Sequence, residues 1–184
     1  MNQKRQPYEN DTLQIPFSTT KGLVATAVAL CVSKGLLNYS SLLAGELVRR
    51  IDPKKRTFGQ YIQDEITNPL KIKSYIDLPK EKEYRISPLY FDSNVGNIID
   101  ERTLSELSVF TDNRYHQAEI PGVNGITNVR FVARLYASFV EDLDNRQQKR
   151  LLNDDIMKKA TISNTPKNDI DLVRGYPNAF AMGL

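Results

Sequence analysis

The sequence predicts an α+β fold dominated by helices, with only a few short strands. Three observations carry this reading. Apolar residues recur at helical spacing in most of the longer segments, and strand-like alternation is confined to short stretches. A chain of 184 residues with 40% hydrophobic and 26% charged side chains also has material for one core. The expected organisation is a loose segment over residues 1–12 and a single domain over 13–184.

The elements follow in order. Leu13, Ile15 and Phe17 alternate with polar or small neighbours and read as a short strand. A helix is expected from Ser18, with Ser18 as its cap, through the alanine-rich stretch to about Lys34, where Gly35 supplies a stop. Leu42, Leu43, Leu47 and Ile51 keep helical spacing until Pro53. Thr57 is placed to cap a third helix containing Phe58, Tyr61, Ile62 and Ile66, which Asn68-Pro69 closes. Ile72, Tyr75 and Ile76 suggest a second short strand, and residues 79–88 a charged loop. A modest helix is expected from about Glu101, through Leu104, Leu107 and Phe110. After a turn at Pro121-Gly122 and Gly125, Thr127 reads as the cap of the strongest amphipathic helix. Its apolar stripe is Val129, Val132, Ala133, Tyr136, Ala137 and Val140. Leu151, Leu152, Ile156 and Met157 fit one more helix, and Tyr176, Phe180, Met182 and Leu184 give the chain an apolar end.

Composition excludes several classes of function. A net charge of +3 does not point to nucleic acid or an anionic membrane. One cysteine rules out an internal disulfide framework and a cysteine-based zinc site, and one histidine leaves little for a histidine-based one. The longest apolar run, Leu23 to Val32, is too short to span a bilayer. Residues 1–16 lack an apolar core and do not read as a secretory signal, so a cytoplasmic protein is the default expectation.

Ser18-Thr19-Thr20-Lys21 is an S-x-x-K pattern at a helix start. A serine hydroxyl becomes a nucleophile when a base takes its proton. A lysine three residues on lies one helical turn away, on the same face, and can serve as that base where its surroundings favour the neutral amine. The helix N-terminus adds positive potential where an oxyanion would develop. The four letters alone are common enough to arise by chance, and a capping serine beside a solvated lysine is the plain alternative.

The context adds weight. Phe17-Ser18-Thr19-Thr20-Lys21-Gly22-Leu23 through Leu30, then Lys34-Gly35-Leu36-Leu37-Asn38-Tyr39, resembles the nucleophile helix of the β-lactamase-related serine hydrolases. That family includes class C β-lactamases, family VIII esterases and D-Ala-D-Ala carboxypeptidase-like proteins. Gly45-Glu46-Leu47-Val48-Arg49-Arg50, Thr57-Phe58-Gly59-Gln60-Tyr61-Ile62, Asn68-Pro69-Leu70, and Glu119-Ile120-Pro121 through Asn124-Gly125-Ile126-Thr127-Asn128 to Tyr136 are similar as well, in the family's order. The resemblance implies a shortened β-lactamase/transpeptidase-like fold with a reduced antiparallel sheet. It also implies acyl transfer on a small ester or amide, with Ser18 as nucleophile, Lys21 as general base, and no metal or organic cofactor.

The chain departs from the family in two motifs. The family's second motif, a Y-x-N or variant whose tyrosine moves the proton, has no counterpart between Tyr39 and Gly45; Tyr8-Glu9-Asn10 fits its letters but precedes the serine. The third motif, a K-T-G or H-x-G strand, is also without a match. A catalytically inactive form that acts by protein binding is therefore the second reading. Self-association is expected through apolar surface around Val24, Val28, Leu30, Val32 and Leu36, with Phe180 and Met182. Nucleic-acid binding through Arg49, Arg50, Lys54, Lys55 and Arg56 is not expected, because no aromatic platform accompanies them, and the cluster reads as a solvated helix end. His116 is read as a solvent-facing or hydrogen-bonded loop residue, Cys31, Tyr61, Tyr136 and Phe139 as core, and Asp154-Asp155 as surface.

Overall fold

A computed structural model describes residues 8–37, 44–89 and 109–163, together with 165, 166, 170, 175–177 and 181. Residues 101–108 of the expected helix from Glu101 lie outside the described residues, as do Tyr39, Phe180, Met182 and Leu184, and its Phe110 falls in a 3₁₀ turn. Six α-helices are found among the described residues: α1 Thr20–Ser33, α2 Ala44–Ile51, α3 Phe58–Ile62, α4 Asn113–His116, α5 Val129–Val140 and α6 Asp154–Thr161. Short 3₁₀ turns cover Phe17–Thr19, Lys80–Arg85 and Val109–Thr111. No helix among the described residues is long and apolar enough to cross a membrane.

Helix α1 is the centre. Its sequence is apolar on most sides, which suits a helix covered from several directions. It packs on α2, α3 and α6. Leu23, Ala27, Leu30 and Cys31 meet Val48, Tyr61, Ile62, Ile66, Leu135, Phe139 and Ile156 in the main core. Helix α3 starts as expected: Thr57 Oγ1 accepts from the Gln60 amide, and the Gln60 side chain accepts from the Thr57 amide. It runs on through a π-helical turn, Gln63–Thr67, before Asn68. At the far end, Asn153 caps α6 by accepting from the Ile156 amide, with Asp154 and Asp155 exposed in the first turn.

The expected antiparallel sheet is not found among the described residues. The two predicted strands contribute only isolated pairings: Leu13 with Ile86 in parallel, Gln14 with Thr127 and Tyr75 with Ile126 antiparallel. The chain itself shows the cause. Pro16 has no amide to continue a ladder, and Phe17 takes a left-handed φ of 47°, turning the would-be strand into the 3₁₀ turn. Just before Tyr75, the Lys73 carbonyl accepts from the Thr127 hydroxyl at 3.2 Å and the Ser74 carbonyl from the Gln63 side-chain amide at 2.6 Å. These pairings still tie segments far apart in sequence into a second, smaller core of Leu13, Ile15, Leu78 and Ile126.

Helix α5 departs from expectation at two points. Its cap is Asn128, whose Oδ1 accepts from the Phe131 amide at 3.1 Å. Thr127 is engaged elsewhere, paired with Gln14 through its backbone and donating its hydroxyl to the Lys73 carbonyl. The buried face is Leu135, Ser138 and Phe139, whereas Val129, Ala133, Tyr136 and Val140 of the expected core stripe are exposed. The apolar surface expected on α1 is also smaller than the sequence suggests. Leu30 is buried, and Val24, Val28, Val32 and Leu36 are half-buried against the main core.

Candidate active site

Ser18 sits in the 3₁₀ turn that leads into α1, and Lys21 in the first turn of the helix. Neither Pro16 nor Thr19 supplies a side-chain cap, and the Ser18 hydroxyl is not spent on capping, contrary to the expectation that it would cap the helix. Its Oγ instead accepts from Lys21 Nζ at 2.9 Å. Lys21 has a second partner that no local pattern indicates: its Nζ donates to the Gly122 carbonyl, also at 2.9 Å. Two hydrogen bonds therefore fix the amine beside the hydroxyl, and both residues are exposed to solvent.

The loop that presents Gly122 is held by buried polar groups. Asn124, fully buried, donates through Nδ2 to the carbonyls of Tyr115 (2.8 Å) and Ala118 (2.5 Å), and its Oδ1 accepts from the Ile120 amide (3.2 Å). The Gly125 amide donates to Thr20 Oγ1 at 3.1 Å, docking the loop onto the first turn of α1. Asn128 then reaches the carbonyls of Asn10 and Thr12, each at 3.2 Å. Loop, helix start and N-terminal segment thus converge on one place.

The overall fold has counterparts among solved structures. The family VIII carboxylesterase structure superposes with a TM-score of 0.77 at 17% identity, covering 98% of this chain and 69% of that one. A penicillin-binding protein homologue from Caulobacter crescentus gives 0.76 at 19%, covering 99% and 69%. EstA from Arthrobacter nitroguajacolicus Rue61a gives 0.74 at 15%, covering 97% and 70%. This chain has the fold of the β-lactamase-related serine hydrolases. No protein-family model matches it, and neither does any curated protein sequence.

Around the Ser18 turn of this β-lactamase-like fold, the surroundings are apolar and aromatic. Phe17 stacks edge-on against Phe110 (centroids 5.0 Å apart), and Phe110 against Tyr115 (4.7 Å). On another side, the Tyr136 hydroxyl lies directly over Gly22, where a larger residue would collide with it. Expected in the core, Tyr136 is 43% exposed, because its ring lies over α1 with only an edge against Phe139. Among the described residues no tyrosine bonds to Ser18 or Lys21. Tyr8 bonds Gln14 Oε1 instead, at 3.3 Å.

The other candidates resolve into supporting roles. Of the two expectations for His116, the hydrogen-bonded one holds and the solvent-facing one does not: it is 3% exposed, at the end of α4 and not in a loop, with Nδ1 2.7 Å from Glu83 Oε1 and Nε2 2.8 Å from the Phe110 carbonyl. Cys31 is buried and donates to the Tyr61 hydroxyl at 3.2 Å; burial raises the pKa of both groups. Arg56 does not belong to a solvated helix end. It turns inward to the buried Asp52 carboxylate, bonds Asp64 and Glu65, and covers the Tyr61 ring at 4.9 Å. Those bonds hold Asp52 well below the usual carboxylate range and push Arg56 above its own. Among the described residues no group of three or more acidic, histidine or cysteine side chains could hold a metal ion.

Proposed function

We propose that this chain is a serine hydrolase domain, residues 13–184, that transfers the acyl group of a small ester or amide through Ser18. The observation that carries the reading is the 2.9 Å contact of Lys21 Nζ with Ser18 Oγ, in an amine that is also held by the Gly122 carbonyl. A neutral amine has two N–H bonds and one lone pair. One N–H can stay on Gly122 while the lone pair takes the Ser18 proton as Oγ attacks the substrate carbonyl. The positive end of α1 favours the oxyanion that forms. No metal or organic cofactor takes part in this scheme. The likeness to a carboxylesterase, EstA and a penicillin-binding protein homologue supports the reaction class.

Weak turnover is part of the proposal. The family tyrosine that would carry the proton onward has no match in the sequence, and among the described residues none stands in for it at Lys21. That observation favours a second reading, a shortened β-lactamase-like body with a reduced sheet that is catalytically inactive and acts by protein binding. The exposed stripe of Val129, Ala133, Tyr136 and Val140 supports self-association under either reading. No nucleic-acid partner is proposed.

A fluorophosphonate probe, p-nitrophenyl esters and a chromogenic cephalosporin, each tried on wild type, Ser18→Ala and Lys21→Ala, decide between the two. Labelling or turnover that depends on Ser18 and is abolished by Lys21→Ala is the expected result. Equal background from all three proteins establishes the inactive form.

A further inference from the structure

Phe17, the residue before the proposed nucleophile, has φ +47°. This left-handed backbone is disfavoured for any residue with a Cβ and persists only where its surroundings enforce it. The ring of Phe17 is partly exposed, so burial alone does not enforce it. Its specific contact is with Phe110, edge to face, at 5.0 Å between centroids and 75° between planes.

Phe110 is itself fixed on several sides. Its ring meets Tyr115 edge-on at 4.7 Å and packs on the smaller core. Its carbonyl can only accept, so the His116 Nε2–H donates to it, at 2.8 Å. His116 is buried, and its Nδ1 faces Glu83 Oε1 at 2.7 Å. The His116 carbonyl accepts from the Leu78 amide at 2.9 Å, and its own amide reaches back to Asp112. Glu83, His116 and Phe110 thus form a clamp spanning three segments, and the Phe110 ring is its working end.

We propose that Phe110 is a positioning residue for Ser18: it holds Phe17 in the left-handed turn that presents the Ser18 hydroxyl to Lys21. This rests on the reading of Ser18 as nucleophile. The two halves of the pair have separate anchors. Lys21 is held by the Gly122 carbonyl, so when Phe17 relaxes to an ordinary φ the hydroxyl moves and the amine stays. Glycine takes a left-handed φ without cost, so a glycine at position 17 needs no clamp.

The test is a double-mutant cycle on Phe17→Gly, Phe110→Leu and the pair, with Phe110→Ala as a harsher variant. Fluorophosphonate labelling rate is one readout. The other is the Phe17 backbone ³J(HN–Hα) coupling and ¹³Cα shift in wild type and the Phe110 variants. Far-UV circular dichroism confirms that each protein is folded. Phe110→Leu keeps apolar bulk but removes the ring edge, and its expected effect is labelling slowed roughly tenfold, with the Phe17 coupling leaving its left-handed value. In the Phe17→Gly background the same substitution has little effect on labelling. An unchanged Phe17 coupling in Phe110→Leu overturns the proposal, as does equal slowing in both backgrounds. A wild type that takes no probe removes the nucleophile reading alone; the Phe17 coupling then still decides whether Phe110 holds the turn.

Discussion

Gly125 rides directly on Thr20, 105 residues earlier in the chain. Its amide donates to Thr20 Oγ1 at 3.1 Å, and a methyl group at Gly125 would fall within 2.5 Å of that oxygen and 2.7 Å of Cγ2. Thr20 is short, buried and part of α1, so it cannot swing aside as a long side chain would. Gly125→Ala is therefore expected to push the loop off the helix start. Overpacking of this kind costs about 1–3 kcal/mol, read as a lower denaturant midpoint. The change also moves the Gly122 carbonyl from Lys21, so labelling of Ser18 slows. Unaltered stability and labelling would show that the close approach is not needed.

Asn124 gives a second handle on the same loop. Its fully buried amide joins the Tyr115 and Ala118 carbonyls to the Ile120 amide. Asn124→Ala removes this partner from the Ala118 carbonyl and the Ile120 amide, while the Tyr115 carbonyl keeps the Ala118 amide at 3.3 Å; the expected loss is about 1–3 kcal/mol, as for an unsatisfied buried polar group. Asn124→Asp retains one acceptor oxygen but places a second acceptor against two carbonyls, so it should fare no better. Thermal unfolding of the two variants beside wild type checks both statements.

How much of this was legible in the sequence depends on how local each interaction is. The Ser18–Lys21 contact follows from three-residue spacing on a helix, and the Thr57–Gln60 capping box is written in adjacent letters. The Gly122 carbonyl is a main-chain group 101 residues from Lys21, and no residue type announces it. Arg56 stands in a basic run that reads as a solvated helix end, yet the carboxylates of Asp52, Asp64 and Glu65 surround it. Thr127 and Asn128 are both good cap formers, and only the pairing of Thr127 with Gln14 assigns the cap to Asn128. The strand at Leu13 ended early for a reason present in the letters, since Pro16 cannot continue a ladder.

Cys31 supplies a probe of global unfolding. Its thiol is fully buried, donates to Tyr61, and is pushed up in pKa chiefly by burial, so the reactive thiolate is scarce in the folded state. A disulfide-exchange reagent should react with the native protein only at the rate at which the α1 region opens. In denaturant, modification should follow the circular-dichroism transition. Rapid stoichiometric reaction in native buffer would contradict the burial described.

The acid limb of stability should be set in large part by Asp52. Its side chain is only 2% exposed, and Arg56 grips both of its oxygens at 2.9 Å. The Arg56 side-chain bonds hold the folded-state pKa below the ordinary 3.8. A depressed carboxylate pKa contributes stability that is present above the unfolded value and is lost as pH falls toward and through the folded one. Glu65 adds to this slope. Burial opposes its ionisation, but Lys34 and Arg56 outweigh that and lower its pKa. Asp52→Asn removes the charge but leaves the guanidinium its bonds to Asp64 and Glu65, so the loss at pH 7 should lie near the low end for a broken buried pair, about 3 kcal/mol. The difference between wild type and variant should shrink as the pH falls below about 4, where Asp52 of the unfolded chain begins to take up a proton while the folded carboxylate is still ionised. Urea unfolding at pH 7, 5, 4 and 3 measures the two curves. A gap that stays constant over that range would mean Asp52 is not held ionised by Arg56.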